Sequence, residues 1–224
     1  MLLNPYRFGV SGPTDPYFSN VSLLMHMDGT NGSTTFTDSG PAGVTLVAVN
    51  SAQISTAQSK FGGASGLFDG VTDYVSAGSS SALDLSGAPY TIEFWTYLSS
   101  VGTTQIWYSQ FSLGIEIGVD PGGDIYFQPD GTTFITTGAG GLVANAWQHV
   151  AATYDGTTTR IFVDGVQKAS GVLNDAGSAN VAAIGARYNT AFSVNGYIDD
   201  LRVTKGIARY TSGFTPPIAA FPDA

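Results

Sequence analysis

The stretch "WQHVAATYDGTTTRIFVDGVQKAS", Trp147 to Ser170, decides the fold. Its apolar and β-branched runs are broken by Asp155-Gly156 and Asp164-Gly165. An Asp-Gly pair between two such runs supplies the left-handed residues of a tight hairpin turn. Two hairpins in succession predict an antiparallel meander, with no room between them for a helix.

The same pattern extends along the chain in both directions. Short runs such as "SLLMHM", "SGLFDG", "DYVSAG", "YTIEFWTYL", "TQIWYSQ", "LGIEIGV", "DIYFQP", "TFITTG", "NVAAIGA" and "GYIDDLRVTKG" are separated by Gly, Asp, Asn and Ser. Strands at this spacing predict an all-β sandwich of two antiparallel sheets. "SSSALDLSG" and "KGIARYTS" are predicted as single helical turns. Residues 1–20 read as an extended N-terminal arm, with Pro5, Pro13 and Pro16 interrupting regular structure. Residues 21–224 then form the sandwich.

Composition narrows the function. The 224 residues include 29 glycines, only eight Lys and Arg, and carry a net charge of −9. With so few cations, and none clustered, a nucleic-acid partner is not expected. No apolar run is long enough to span a bilayer, so no membrane insertion is expected. The chain has no cysteine, which excludes disulfides and thiolate metal sites. The start "MLLNPYRFGVSGPTDPYF" has no charged n-region followed by an apolar stretch, so no cleaved signal peptide is expected.

Several segments resemble the laminin-G-like branch of the concanavalin A-like lectin and glucanase superfamily. They are "LLMHMDGTNGSTTFTDSG", "SKFGGASGLFDGVTDYVSAG", "YTIEFWTYL", "AWQHVAATYDGTTTRIFVDGVQKASG" and "IGARYNTAFSVNGYIDDLRVTKGIARYTSGFTPP". The resemblance covers most of residues 22–217 and implies a jelly-roll of two curved sheets. The ending "GYIDDLRVTKGIARYTSGFTPP" is similar to the version found in virion proteins of tailed bacteriophages. That likeness implies a non-enzymatic protein of the phage particle surface: a capsid decoration, head-fibre or tail-fibre component, assembled in the host cytoplasm. Its arm would dock on other virion proteins, and the protein is expected to form a homo-oligomer or symmetric array. A free-standing carbohydrate-binding module and a glycoside hydrolase are the alternatives, since this fold does not fix function.

Strict alternation through "GYIDDLRV" puts Asp199 on the inward face with Leu201 and Val203. A buried carboxylate needs a cation or several hydrogen-bond donors. The resemblance implies the first option, a structural calcium held by Asp199 and by Asp28 of "HMDG". The second option is hydrogen bonding, from backbone amides or from His26, that ties the last strand to the first. Asp69 and Asp73 of "LFDGVTDYV" are expected to bond their own turn.

A glycosidase needs two carboxylates about 5–9.5 Å apart. Glu93 and Glu116 are the only glutamates, and neighbouring strands could bring them together. The compact Glu-x-Asp-x-x-Glu motif of the glucanase branch is absent. His149 is expected to be structural. The remaining handle is aromatic. Trp107, Tyr108, Tyr126, Phe127 and Phe134 lie on middle strands, which in this family form the concave face. Alternation sends about half of them inward. A cell-surface glycan would stack on Trp107 and Tyr126, with Gln105 and Gln128 fixing its hydroxyls; Gln110 is a further polar partner. A plain packed sheet is the competing reading.

Overall fold

A computed structural model describes residues 14–110, 114–173, 181–188 and 191–224. Its strands, in chain order, are β1 (Val21–Met25), β2 (Leu46–Val49), β3 (Gln53–Ser55), β4 (Ser65–Asp69), β5 (Tyr74–Ala77), β6 (Tyr90–Leu98), β7 (Gln105–Gln110) and β8 (Glu116–Asp120). There follow β9 (Asp124–Gln128), β10 (Ile135–Thr136), β11 (Gln148–Tyr154), β12 (Thr159–Val163), β13 (Val166–Gly171), β14 (Ala182–Ile184) and β15 (Asn195–Lys205). They form two antiparallel sheets. One runs β13-β12-β11-β6-β15-β4-β3, with β1 also paired to β15, and the other runs β10-β9-β8-β7-β14-β5-β2.

The predicted meander is β11-β12-β13. Asp164 and Gly165 have φ of 47° and 75°, the left-handed pair that a two-residue hairpin requires. Inward residues of both sheets interlock into one core, including Ile92, Phe94, Trp107, Tyr108, Ile117, Phe127, Val150, Ile161, Leu201 and Val203. Ser81–Leu83 forms the predicted short helical turn. "KGIARYTS" forms none. Its backbone crosses the sheet instead, with the Arg209 amide donating to Thr91 Oγ1 and the Arg209 Nε donating to Thr204 Oγ1.

Strand β15 does not alternate strictly. It pairs with β4 through Asn195–Ile198, then with β1 through Leu201–Thr204. At the change of partner its register on β6 slips between Asp199 and Arg202, and Asp200 takes φ 48°. One extra residue in a bulge reverses the parity of all that follows. Ile198, Leu201 and Val203 therefore all face the core. Asp199 lies opposite Trp95, on the outer side of the sheet with Arg202. The expectation that Asp199 shares the Leu201 face is thus corrected.

The described part of the arm is bound to its own sandwich. The Asp15 amide donates to the Ala224 carbonyl, and the Asp15 carboxylate accepts from Arg202 and from two nitrogens of Arg209. Phe18 packs with Val21, Leu24 and Phe221. For residues 14–20 this corrects the expectation that the arm leaves its own sandwich, because the buried guanidinium groups need Asp15 as counter-charge. The rest of the expected arm, Met1 to Pro13, lies outside the described residues.

Candidate functional site

The outer face of the seven-stranded sheet carries a cleft of about 320 Å³ over β8 and β9. Alternation turns Ile117, Val119, Ile125 and Phe127 into the core and leaves Glu116, Gly118, Asp120, Tyr126 and Gln128 on the outer face. Gly118 stands directly opposite Tyr126. A Cβ at Gly118 would lie 2.5–2.7 Å from the Tyr126 hydroxyl and ring, so the missing side chain lets the ring lie across β8. Tyr126 thereby reaches Glu116 and donates its hydroxyl to Oε1 at 2.8 Å.

Arg187 completes this floor. Its Nε and Nη2 donate to the two oxygens of Glu116 at 2.7 and 2.6 Å. This fork-to-fork pairing fixes both planar groups in one orientation. Burial and the adjacent Glu116 carboxylate hold the Tyr126 phenol well above its usual pKa, so it stays protonated. Two apolar rings rise at the margins: Phe134, 58% exposed, and Phe192, 44% exposed. Phe134 sits edge-on to Tyr126 at 6.5 Å, and the Arg187 guanidinium lies 4.7 Å from the Phe192 ring centre. Thr104, Asp120, Gln128 and Thr132 supply hydroxyl, carboxylate and amide groups around the same cleft.

Replacing Gly118 with alanine is expected to displace Tyr126 and cost about 1–3 kcal/mol of stability as an overpacked contact. Tyr126→Phe loses only the hydroxyl bond and should cost about 1 kcal/mol. Urea unfolding of the two variants checks the order.

Of the four residues expected to meet a glycan, the cleft gathers two, Tyr126 and Gln128. Trp107 is a correction. Its side chain is fully buried, its Nε1 donates to Thr96 Oγ1 at 2.9 Å, and its ring packs on Phe94 at 5.3 Å. Gln105 is a second correction. It is buried, donates to the Ser100 carbonyl and accepts from the Asn195 amide, so both ends of its amide are used within the fold. Gln110 is buried too: its Nε2 donates to the Leu83 carbonyl and the Tyr108 hydroxyl, while its oxygen is enclosed without a hydrogen-bond partner. Parity could have linked Tyr126 to Glu116 and Gly118, whereas Arg187 and Phe192 come from an irregular loop with no periodic signal.

The two glutamates do not meet. Glu93 lies on β6 of the other sheet, on the side turned away from the core, as Glu116 does on its own sheet. The body of the sandwich separates them, which overturns the expectation that neighbouring strands could pair them. Glu93 is fully buried. It accepts from Arg202 Nε and Nη2 and from the Tyr210 hydroxyl, and His149 Nε2 stands 3.4 Å away. His149 itself is enclosed, edge-on to Trp95 and Phe214.

Asp199 sits where β15 changes partner from β4 to β1. Its Oδ2 accepts from the amides of Lys60 and Phe61 at 2.6 and 3.1 Å, in the loop before β4. It is therefore a buried acceptor as expected, but it ties β15 to that loop and not directly to the first strand. His26, the other expected donor, is engaged elsewhere: it contacts Asp200 Oδ1 at 2.6 Å and Asp223 Oδ1 at 2.8 Å. Asp69 and Asp73 behave as turn acceptors, Asp69 taking three amides of its own turn and Asp73 the Ser51 and Asp69 amides.

The other oxygen of Asp199, Oδ1, is buried without a hydrogen-bond partner. Burial pushes the Asp199 carboxyl up to about 7; the Asp200 and Asp28 carboxylates push the same way, against the two amide bonds. Asp28 leans over Gly62, where a Cβ would fall 1.9 Å from its carboxylate. An unpaired buried oxygen on a carboxylate that Asp28 and Asp200 also push upward is a group that a bound cation would compensate. Among the described residues no three Asp, Glu, His or Cys side chains gather to hold a metal, so backbone carbonyls and water would complete any shell.

Residues 69–207 match the family described as the concanavalin A-like lectin/glucanases superfamily, Laminin_G_3. No curated protein matches the chain in sequence. Among solved structures, domain 4 of AbnA, a GH43 extracellular arabinanase from Geobacillus stearothermophilus, in complex with arabinotriose, superposes with a TM-score of 0.61 at 16% identity, over 84% of this chain and 93% of that one. The botulinum neurotoxin serotype D binding domain gives 0.65 at 12%, over 86% and 49%. The type C neurotoxin, whose cell entry depends on interaction with two ganglioside molecules, gives 0.62 at 12%, over 85% and 49%. The chain thus spans about half the length of these neurotoxin structures. At such identities the likeness is one of fold.

Proposed function

We propose that this chain, which belongs to the concanavalin A-like lectin/glucanase superfamily, binds carbohydrate without cleaving it, in the cleft floored by Tyr126, Glu116 and Arg187. The observation that carries the reading is the pair of exposed rings, Phe134 and Phe192, beside a rigid polar floor. Sugar rings present apolar C–H faces that stack on aromatics, and hydroxyls that need oriented donors and acceptors. Solved relatives by fold include an arabinanase domain holding arabinotriose and a neurotoxin that interacts with gangliosides, which supports the class of ligand. The absence of catalysis is supported by the two glutamates, each bonded to an arginine and far from the other.

The test is a glycan array with the intact chain and with Phe134→Ala and Phe192→Ala. Each substitution removes an exposed ring, so the fold should hold while binding falls about tenfold, the loss of one stacking contact of roughly 1.4 kcal/mol. Unchanged binding in both variants would remove the cleft from the account.

The setting proposed is the surface of a tailed-phage particle, supported by the resemblance of Gly196–Pro217 to virion proteins. Detection of the chain in purified particles by mass spectrometry is the expected result. We also propose a structural calcium held by Asp28 and Asp199, supported by the unpaired Asp199 Oδ1. When bound, it would supply a positive charge to the unpaired Asp199 oxygen.

A further inference from the structure

We propose that the cleft selects neutral glycans and rejects sialylated and uronic-acid sugars; this rests on the carbohydrate-binding reading above. Among the described residues lining the cleft, the charged side chains are Glu116, Asp120 and Arg187. Arg187 is the sole cation among them, and it is turned onto Glu116 through two nitrogens at 2.7 and 2.6 Å. The pair is neutral as a unit. The Nε–Nη2 edge of its guanidinium is committed to Glu116, so a ligand carboxylate cannot claim that edge in fork geometry.

Asp120 is left as a net negative charge. Its Oδ1 accepts from the Thr104 hydroxyl at 2.8 Å, which orients the carboxylate without neutralising it. Tyr126 does not offer its hydroxyl hydrogen to a ligand anion, because that hydroxyl already donates to Glu116 Oε1. A sugar carboxylate entering the cleft therefore meets one uncompensated anion and an arginine already paired, on a chain of net charge −9. Like charges brought together in an interface are strongly unfavourable. A sugar hydroxyl meets the reverse situation: Asp120 is an acceptor for its O–H, and Gln128 offers both a donor and an acceptor. Carboxylate recognition thus fails where hydroxyl recognition succeeds, in one and the same cleft.

The experiment compares matched pairs on one array: lactose with sialyllactose, and galactotriose with trigalacturonate, within a wider panel of neutral chains and their charged counterparts. At low salt the neutral member of any bound pair should bind at least about tenfold more tightly, a difference of 1.4 kcal/mol. The gap should narrow as salt is raised, because screening weakens the repulsion. It should narrow also in Asp120→Asn, which keeps the shape and removes the charge. Charged members binding as tightly as neutral ones would overturn the selectivity and leave carbohydrate binding standing. No binding by any member of the panel would overturn both.

Discussion

Arg202→Ala is expected to cost about 3–5 kcal/mol, the penalty of breaking a buried ion pair from one side. In a domain of this size that corresponds to a fall in Tm of roughly 10 °C or more. Arg202 bridges Glu93 and Asp15, with its side chain 6% exposed, and its guanidinium lies 3.7 Å from the Phe221 ring centre. Removing it takes the two shortest charged donors from Glu93 in a dry site, leaving the Tyr210 hydroxyl and the more distant His149 and Arg209, and loosens the tail that covers the sheet. Tyr210→Phe, which removes one hydroxyl from the same carboxylate, should cost about 1–3 kcal/mol. Equal losses in the two variants would show that the arginine is not the organising charge.

The network also predicts a pH window. Burial pushes the Glu93 carboxyl up, but Arg202 and His149 more than offset this and hold it at about 2, below its usual 4.5. A carboxylate held down in the folded state stabilises the fold fully above its unfolded value. That contribution is lost as pH falls from 4.5 through about 2. Acid unfolding should therefore shift to higher pH when Arg202 is replaced.

Calcium is expected to raise stability, and a chelator to lower it, through Asp199. Binding at a hundredfold excess over Kd is worth about 2.7 kcal/mol, or roughly 5–10 °C in Tm. The sign at Asp199 is opposite to that at Glu93. Its carboxyl is raised to about 7, so without a cation its contribution is present below its unfolded value of 3.8 and lost as pH rises through 7. Asp199→Asn should therefore match or exceed the unsubstituted protein in chelator at pH 8, and fall below it in calcium. Melting curves that ignore both calcium and chelator would leave Asp199 as a hydrogen-bond acceptor alone.

The meander was legible because Asp-Gly turns and alternating runs are local signals, realised at Asp164-Gly165 by two neighbouring residues with positive φ. The placement of Asp199 was not. A bulge costs one residue of register and leaves no mark in composition, so strict alternation carried Asp199 to the wrong face. Trp107 shows the same limit: on the bulged strand β7, whose register slips between Ile106 and Tyr108, both Trp107 and Tyr108 enter the core. Parity worked on regular strands, where Tyr126 and Gln128 point outward together. The partners that complete the cleft, Arg187 and Phe192, approach from a loop, and only the three-dimensional fold brings them to β8.

Sugar held over β8 and β9 should perturb the residues of those strands and of the loop beside them. The most direct measurement is a two-dimensional NMR titration of the labelled protein with the strongest neutral glycan from the array. Perturbed signals are expected to concentrate at Tyr126, Gln128, Phe134, Arg187 and Phe192, with Trp107 and Gln105 little affected. A footprint centred on the other sheet, or on the loops around Asp28 and Lys60, would contradict this placement.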